Sequence, residues 1–104
     1  MYKVITFCPK DALDKVIDAM AKAGAGTIGN YTHCAFITEG QGNWYSGEGS
    51  TPTIGEVGKM SREPECKIEM ICPDDKLKSV RDSIKTSHPY ETPEIDIIKL
   101  CDFE

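Results

Sequence analysis

Two short stretches of this chain gather the side chains most capable of chemistry. His88, Tyr90 and Glu91 fall within four consecutive positions of "SHPYETP", and His33 and Cys34 are neighbours in "NYTHCAF". Histidine moves protons near neutral pH and ligates metals. A cysteine beside a histidine is a nucleophile–base pair wherever the fold brings the two into contact. A third candidate, Glu48, stands between Gly47 and Gly49. It could hold a cation or meet a partner's backbone amides, or be an ordinary solvated loop acid.

Each of these has a plainer reading. Pro89 disfavours helical geometry in the residue before it and lacks an N–H, so a helix arriving at Ser87 must stop there. His88 then sits at the helix end beside unpaired carbonyls, and Tyr90 buries its ring at the helix–sheet seam while its hydroxyl finds a polar partner. Pro93 launches the strand "EIDIIKL". On this reading His88→Ala costs within about 1 kcal/mol, whereas changing Pro89 or Tyr90 costs more. The alternative is that His88 and Glu91 face a subunit junction and bind a cation or an anion there. The segment "IGNYTHCAFITEG" alternates imperfectly but reads as a strand. On such a strand His33 shares a face with Tyr31 and Ala35, while Cys34 and Phe36 point the other way. His33 is then a hydrogen-bonded edge residue, with metal contact or catalysis as the sharper alternatives.

The elements that must position these residues come from a duplication. "VITFCPKDALDKVIDAM" (residues 4–20) aligns without gaps onto "IEMICPDDKLKSVRDSI" (residues 68–84). Cys8/Cys72, Pro9/Pro73, Asp11/Asp75, Leu13/Leu77, Val16/Val80 and Asp18/Asp82 are identical. Each copy opens with a short β-branched and apolar run ending at proline, which predicts a strand. Leu13, Val16, Ile17 and Met20 then fall at i, i+3, i+4 and i+7, and Leu77, Val80 and Ile84 keep most of that stripe, which predicts two amphipathic helices. Gly24 and Gly26 end the first. Strand–helix–strand, twice over, predicts an α+β, ferredoxin-like two-layer sandwich: an antiparallel sheet with both helices on one face. The 104 residues are expected to form a single domain, 1–104.

Composition narrows the partners. The net charge is −5 and the twelve basic residues are scattered, which argues against nucleic acid. No stretch is apolar enough to span a membrane, and the start of the chain lacks a signal-peptide pattern, so a cytoplasmic location is expected. The five cysteines include no Cys-x-x-Cys pair. They are expected as reduced thiols, mostly packed in the core. Between the repeats lies "EGQGNWYSGEGSTPTIGEVGK" (residues 39–59), glycine-rich and holding Trp44, the only tryptophan. It is expected to be a long loop with little secondary structure that packs on itself or on another subunit. It lacks the Gly-Lys-Ser/Thr of a phosphate loop.

Three motifs in order, "GAGTIGNYTHCAF", "GEGSTPTIGEVGK" and "HPYETPEIDI", resemble the PII-like insert domain of the Nif-three-like family, the YqfO type, over nearly the whole chain. More distantly, the repeat and "HPYETPEI" resemble the CutA family of divalent-cation-tolerance proteins. That likeness implies a PII-like fold and a homo-oligomer, with a trimer favoured over a dimer, and it implies a divalent metal as the cofactor to test for. In larger Nif-three-like proteins the insert separates two halves that carry a dinuclear metal site. Those residues are not in this sequence, so the resemblance implies a free-standing module without that activity. The reading is therefore a non-enzymatic oligomeric binding or scaffold module contacting a metal or small ligand at a subunit junction. The reading from another class is a metal- or thiol-dependent enzyme using His33 or His88.

Overall fold

Both copies of the repeat fold alike. In the computed structural model, which describes residues 1–103, strand β1 (Tyr2–Cys8) leads through a single 3-10 turn into helix α1 (Leu13–Ala23). Strand β3 (Met60–Cys72) leads through an equivalent turn into helix α2 (Leu77–Ser87). Pro9 and Pro73 start the two turns, and their carbonyls accept from Ala12 N–H (2.9 Å) and Lys76 N–H (3.0 Å). Strands β2 (Phe36–Tyr45) and β4 (Ile95–Lys99) follow the helices, and the sheet order is β2-β3-β1-β4 with every neighbour antiparallel. Each helix crosses over one strand of the other copy, so the halves interlock and the duplicated strands β1 and β3 lie at the centre.

The helical stripes and one face of the central strands form the core. Val16, Met20, Val80 and Ile84 are buried against Val4, Cys8, Ile68, Met70 and Cys72. Cys8, Cys66 and Cys72 behave as small apolar core residues, while Cys34 is half-buried and Cys101 exposed. Gly24 ends α1 at φ 123°, and a Cβ there would come within 2.7 Å of the Lys76 side chain. Glycine is required at that position on both counts. Ser79 Oγ donates to the Ala23 carbonyl (3.2 Å), satisfying one of the acceptors the helix end leaves open.

Two expectations are corrected. The strand drawn through residues 28–40 begins only at Phe36. Gly26 (φ 77°), Gly29 (φ 57°) and His33 (φ 59°) occupy the left-handed region, which folds the chain into a tight bend closed by mutual Ile28–Tyr31 backbone hydrogen bonds of 2.9 Å. His33 therefore does not share a strand face with Tyr31 and Ala35. The region 39–59 is loop only from residue 46 on, because its first seven residues are strand. Strand β2 runs on to Tyr45 and β3 starts at Met60, in register from Phe36↔Glu69 to Tyr45↔Met60. β1 covers only Cys66–Cys72 of β3, so the rest of the hairpin projects from the sheet. Pro64 is tolerated there because β3 has a neighbour on one side only. The projection gives a long axis of 49 Å.

Met20 is fully buried, so Met20→Ala is expected to cost about 2–5 kcal/mol in chemical denaturation. A loss under about 1 kcal/mol, the size expected of a surface change, contradicts this core.

Candidate functional site

The corner after α2 is built around His88. Helix α2 stops at Ser87, and His88 turns extended (φ −81°, ψ 137°) while its N–H still reaches the Ile84 carbonyl at 2.9 Å. Its side chain is 7% exposed. Nε2 lies 2.6 Å from the Phe7 carbonyl, and the Tyr90 N–H donates to Nδ1 at 3.1 Å. A carbonyl can only accept and an amide N–H can only donate, so the ring proton is on Nε2 and both nitrogens are engaged. His88 thus ties the end of α2 to the end of β1 and fixes the chain that follows. Thr6 Oγ1 donates to the Glu94 carbonyl (2.7 Å) and pins the other end of the same corner.

Held this way, Tyr90 projects over the root of the hairpin. Its ring stands 4.8 Å from His88 and 5.8 Å from Trp44, tilted 51° to each, and its hydroxyl donates to Glu65 Oε2 at 2.7 Å. Burial, and then the bond to Glu65, hold the Tyr90 phenol well above the ordinary tyrosine range. The Glu65 carboxylate lies across Gly42, where any Cβ would collide with it. Glycine at 42 is thus what lets the carboxylate reach Tyr90.

The loop between β2 and β3 closes over this arrangement. Glu91 Oε2 accepts from Thr51 N–H (2.7 Å) and Thr51 Oγ1 (3.0 Å), and Thr53 Oγ1 donates to the Pro89 carbonyl (2.7 Å). A cavity of about 490 Å³ lies between hairpin, loop and corner, with Trp44, Ser46, Glu65, Tyr90, Glu91 and Glu94 among its walls. Ser46 is 4% exposed, and its Oγ is the one buried side-chain polar atom without a partner among the described residues. The Glu94 carboxyl is held above the usual carboxylate range because its protonated form donates to the Asp96 carboxylate, then by burial and by Glu65.

The candidates named from sequence divide between two places. Tyr90 and Glu91 line the cavity, and His88 is buried behind Tyr90 without lining it. His33 sits exposed beside α1, its Nδ1 3.0 Å from Thr32 Oγ1 and its Nε2 3.2 Å from Asp18 Oδ1. Asp18 also pairs with Lys22 at 2.8 Å, and Lys22 first, then His33, keep its carboxyl below the usual range. Cys34 makes one long contact, Sγ to the Thr32 carbonyl at 3.9 Å, and Glu48 is exposed. The buried thiols are poor nucleophiles: burial, then Cys66 directly opposite, push Cys8 up to about 12, and burial raises Cys72. Among the described residues no three His, Cys, Asp or Glu side chains come together as a metal site. Glu65, Ser46 and Glu94 were not anticipated. Trp44 stood out in sequence only as a lone tryptophan among glycines.

No protein-family model matches the chain. It is 39% identical over 97% of its length to the protein named GTP cyclohydrolase 1 type 2 homolog of Halalkalibacterium halodurans, and 40% identical over 91% to that of Bacillus subtilis. It spans about a quarter of the length of these relatives (27% and 26%). Among solved structures, a Bacillus cereus protein related to NIF3 superposes with a TM-score of 0.83 at 37% identity, over 97% of this chain and 26% of that one. CutA1 from Pyrococcus horikoshii superposes with a TM-score of 0.73 at 22% identity, over 100% and 87%. The likeness to NIF3-related proteins read from the motifs therefore stands, and so does the CutA-like fold.

The wedged His88 revises one expectation. Its removal leaves the Phe7 carbonyl and the Tyr90 N–H without partners and opens a void. His88→Ala is therefore expected to cost about 2–4 kcal/mol in denaturant unfolding rather than within 1. His33→Ala, on the surface, is expected to stay within about 0.5 kcal/mol. Equal, small effects of the two would contradict the wedge.

Proposed function

We propose that this chain is a non-enzymatic, homo-oligomeric module that binds a small molecule in the cavity beneath the 46–59 loop. The observation that carries this reading is the half-open cleft braced between loop and corner. Three side chains from two distant segments (Thr51, Thr53 and Glu91) hold the loop over aromatic walls. Pockets of this size with a few fixed polar groups are the usual form of small-ligand sites. A metal-dependent role fits less well, because the donors do not converge within one chain. A thiol-dependent enzyme would need a histidine with a free nitrogen beside an ionisable thiol. His88 and His33 each have both ring nitrogens engaged, and the one contact of Cys34 is with the Thr32 carbonyl rather than with either imidazole.

Assembly is the second half of the proposal. Both sheet edges are open, and Phe36, Ile37 and Tyr45 on β2 and Ile97 and Ile98 on β4 are exposed apolar residues. Open, apolar edges are pairing surfaces for further chains. A trimer is favoured over a dimer by the CutA-like fold, with the cavity near a subunit junction. No helix among the described residues is long and apolar enough to cross a membrane. The proposed setting is the cytoplasm, where the free cysteines stay reduced.

Light scattering on the purified chain at micromolar concentration is expected to give three times the 11.5 kDa chain mass. A dimer would displace the trimer, and a monomer at high micromolar concentration would overturn the assembly reading.

A further inference from the structure

The walls of the cavity specify a charge. Glu65, Glu91 and Glu94 contribute carboxylates, and no lysine, arginine or histidine lines it. The two ordered carboxylates are each half used. Glu65 Oε2 accepts from Tyr90, and Glu91 Oε2 accepts from Thr51, while neither Oε1 has a hydrogen-bond partner among the described residues. Glu65 Oε1 lies over Gly42, which also lines the cavity. Positioning and recognition are thus divided between the two oxygens of one group.

The aromatic walls point the same way. Trp44 and Tyr90 meet at 51° with centroids 5.8 Å apart, leaving an open corner of π surface beside the carboxylates. A cation over such a face is attracted by the ring quadrupole, and the attraction grows when the site is dry. Ser46 stands at the back of the cavity, its Oγ sealed from the open space. It follows Trp44 by two residues, which puts its side chain on the same side of an extended chain.

We infer that the cavity takes an organic cation bearing a quaternary ammonium or guanidinium group. This rests on the ligand-binding reading above. The cationic head lies in the corner of Trp44 and Tyr90 against Glu65 and Glu91. A bare divalent cation is disfavoured, since the carboxylates are spread around the walls rather than converged.

Trp44 is the sole tryptophan, so its emission reports directly on the site. The assembled full chain is titrated with choline and with agmatine. The probes for comparison are 3,3-dimethylbutan-1-ol, the neutral isostere of choline, and glutarate as an anion. Sodium chloride is adjusted to constant ionic strength. Saturable quenching by a cation, with the neutral isostere weaker by about 10-fold or more, is expected. Glu65→Gln keeps an acceptor for Tyr90 but removes the charge, and is expected to weaken the cation about 10-fold while leaving the isostere unchanged. Equal binding of cation and isostere, or saturation by glutarate alone, would overturn the cationic class while leaving the binding site itself standing. No response to any of the four would count against both.

Discussion

One buried imidazole decides how the two ends of this molecule meet. The sheet and helices follow from a duplicated pattern, but the pattern does not say where the chain goes after α2. His88 does. Its Nε2–H bond to Phe7 and its Nδ1 bond from Tyr90 N–H fix the corner between helix and β4. The Tyr90 ring and hydroxyl are thereby aimed at Trp44 and Glu65. Because both partners are backbone groups, a substitute would need the same two-sided donor–acceptor geometry within a 7% exposed site. The corner, the aromatic wall and the anchor for the 46–59 loop all depend on it.

The hairpin is the other constraint. Strands β2 and β3 outrun β1 by about half their length, so Trp44 and Glu65 stand on a two-stranded arm rather than on the sheet. Such an arm is marginal alone. The loop at its tip returns to the corner through Thr51 and Thr53, and the arm is braced from both ends. The cavity lies between arm and corner, and its shape is tied to hydrogen bonds between residues about forty apart in sequence. Three of its polar walls, Glu65, Glu91 and Glu94, come from two separate segments. A ligand bridging them would tighten the brace as it binds, coupling occupancy to the order of the arm.

The repeat, both helices, their buried stripes, the stop at Ser87 and the sheet's class were all legible in sequence, because each rests on local periodicity or on proline. The bend at residues 26–35 was not. Its apolar alternation imitates a strand, and the left-handed φ of His33 leaves no mark in residue type. The length of the hairpin was hidden for a related reason: "TEGQGNWY" is polar and glycine-rich, and it pairs as strand because β3 offers a partner. Tyr90 and Glu91 were visible as candidates. Glu65 was not, since its role depends on the bare Gly42 across the hairpin, a long-range fit that a single sequence does not display. His88 was expected at the helix end beside free carbonyls. The carbonyl it serves belongs to β1 instead.

The tautomer of His88 tests the account most directly. In ¹⁵N-resolved imidazole spectra at neutral pH, the account requires the Nε2–H form with Nδ1 as an acceptor, together with a slowly exchanging Tyr90 amide. An Nδ1–H tautomer, or a Tyr90 amide that exchanges as freely as an exposed loop, would contradict it.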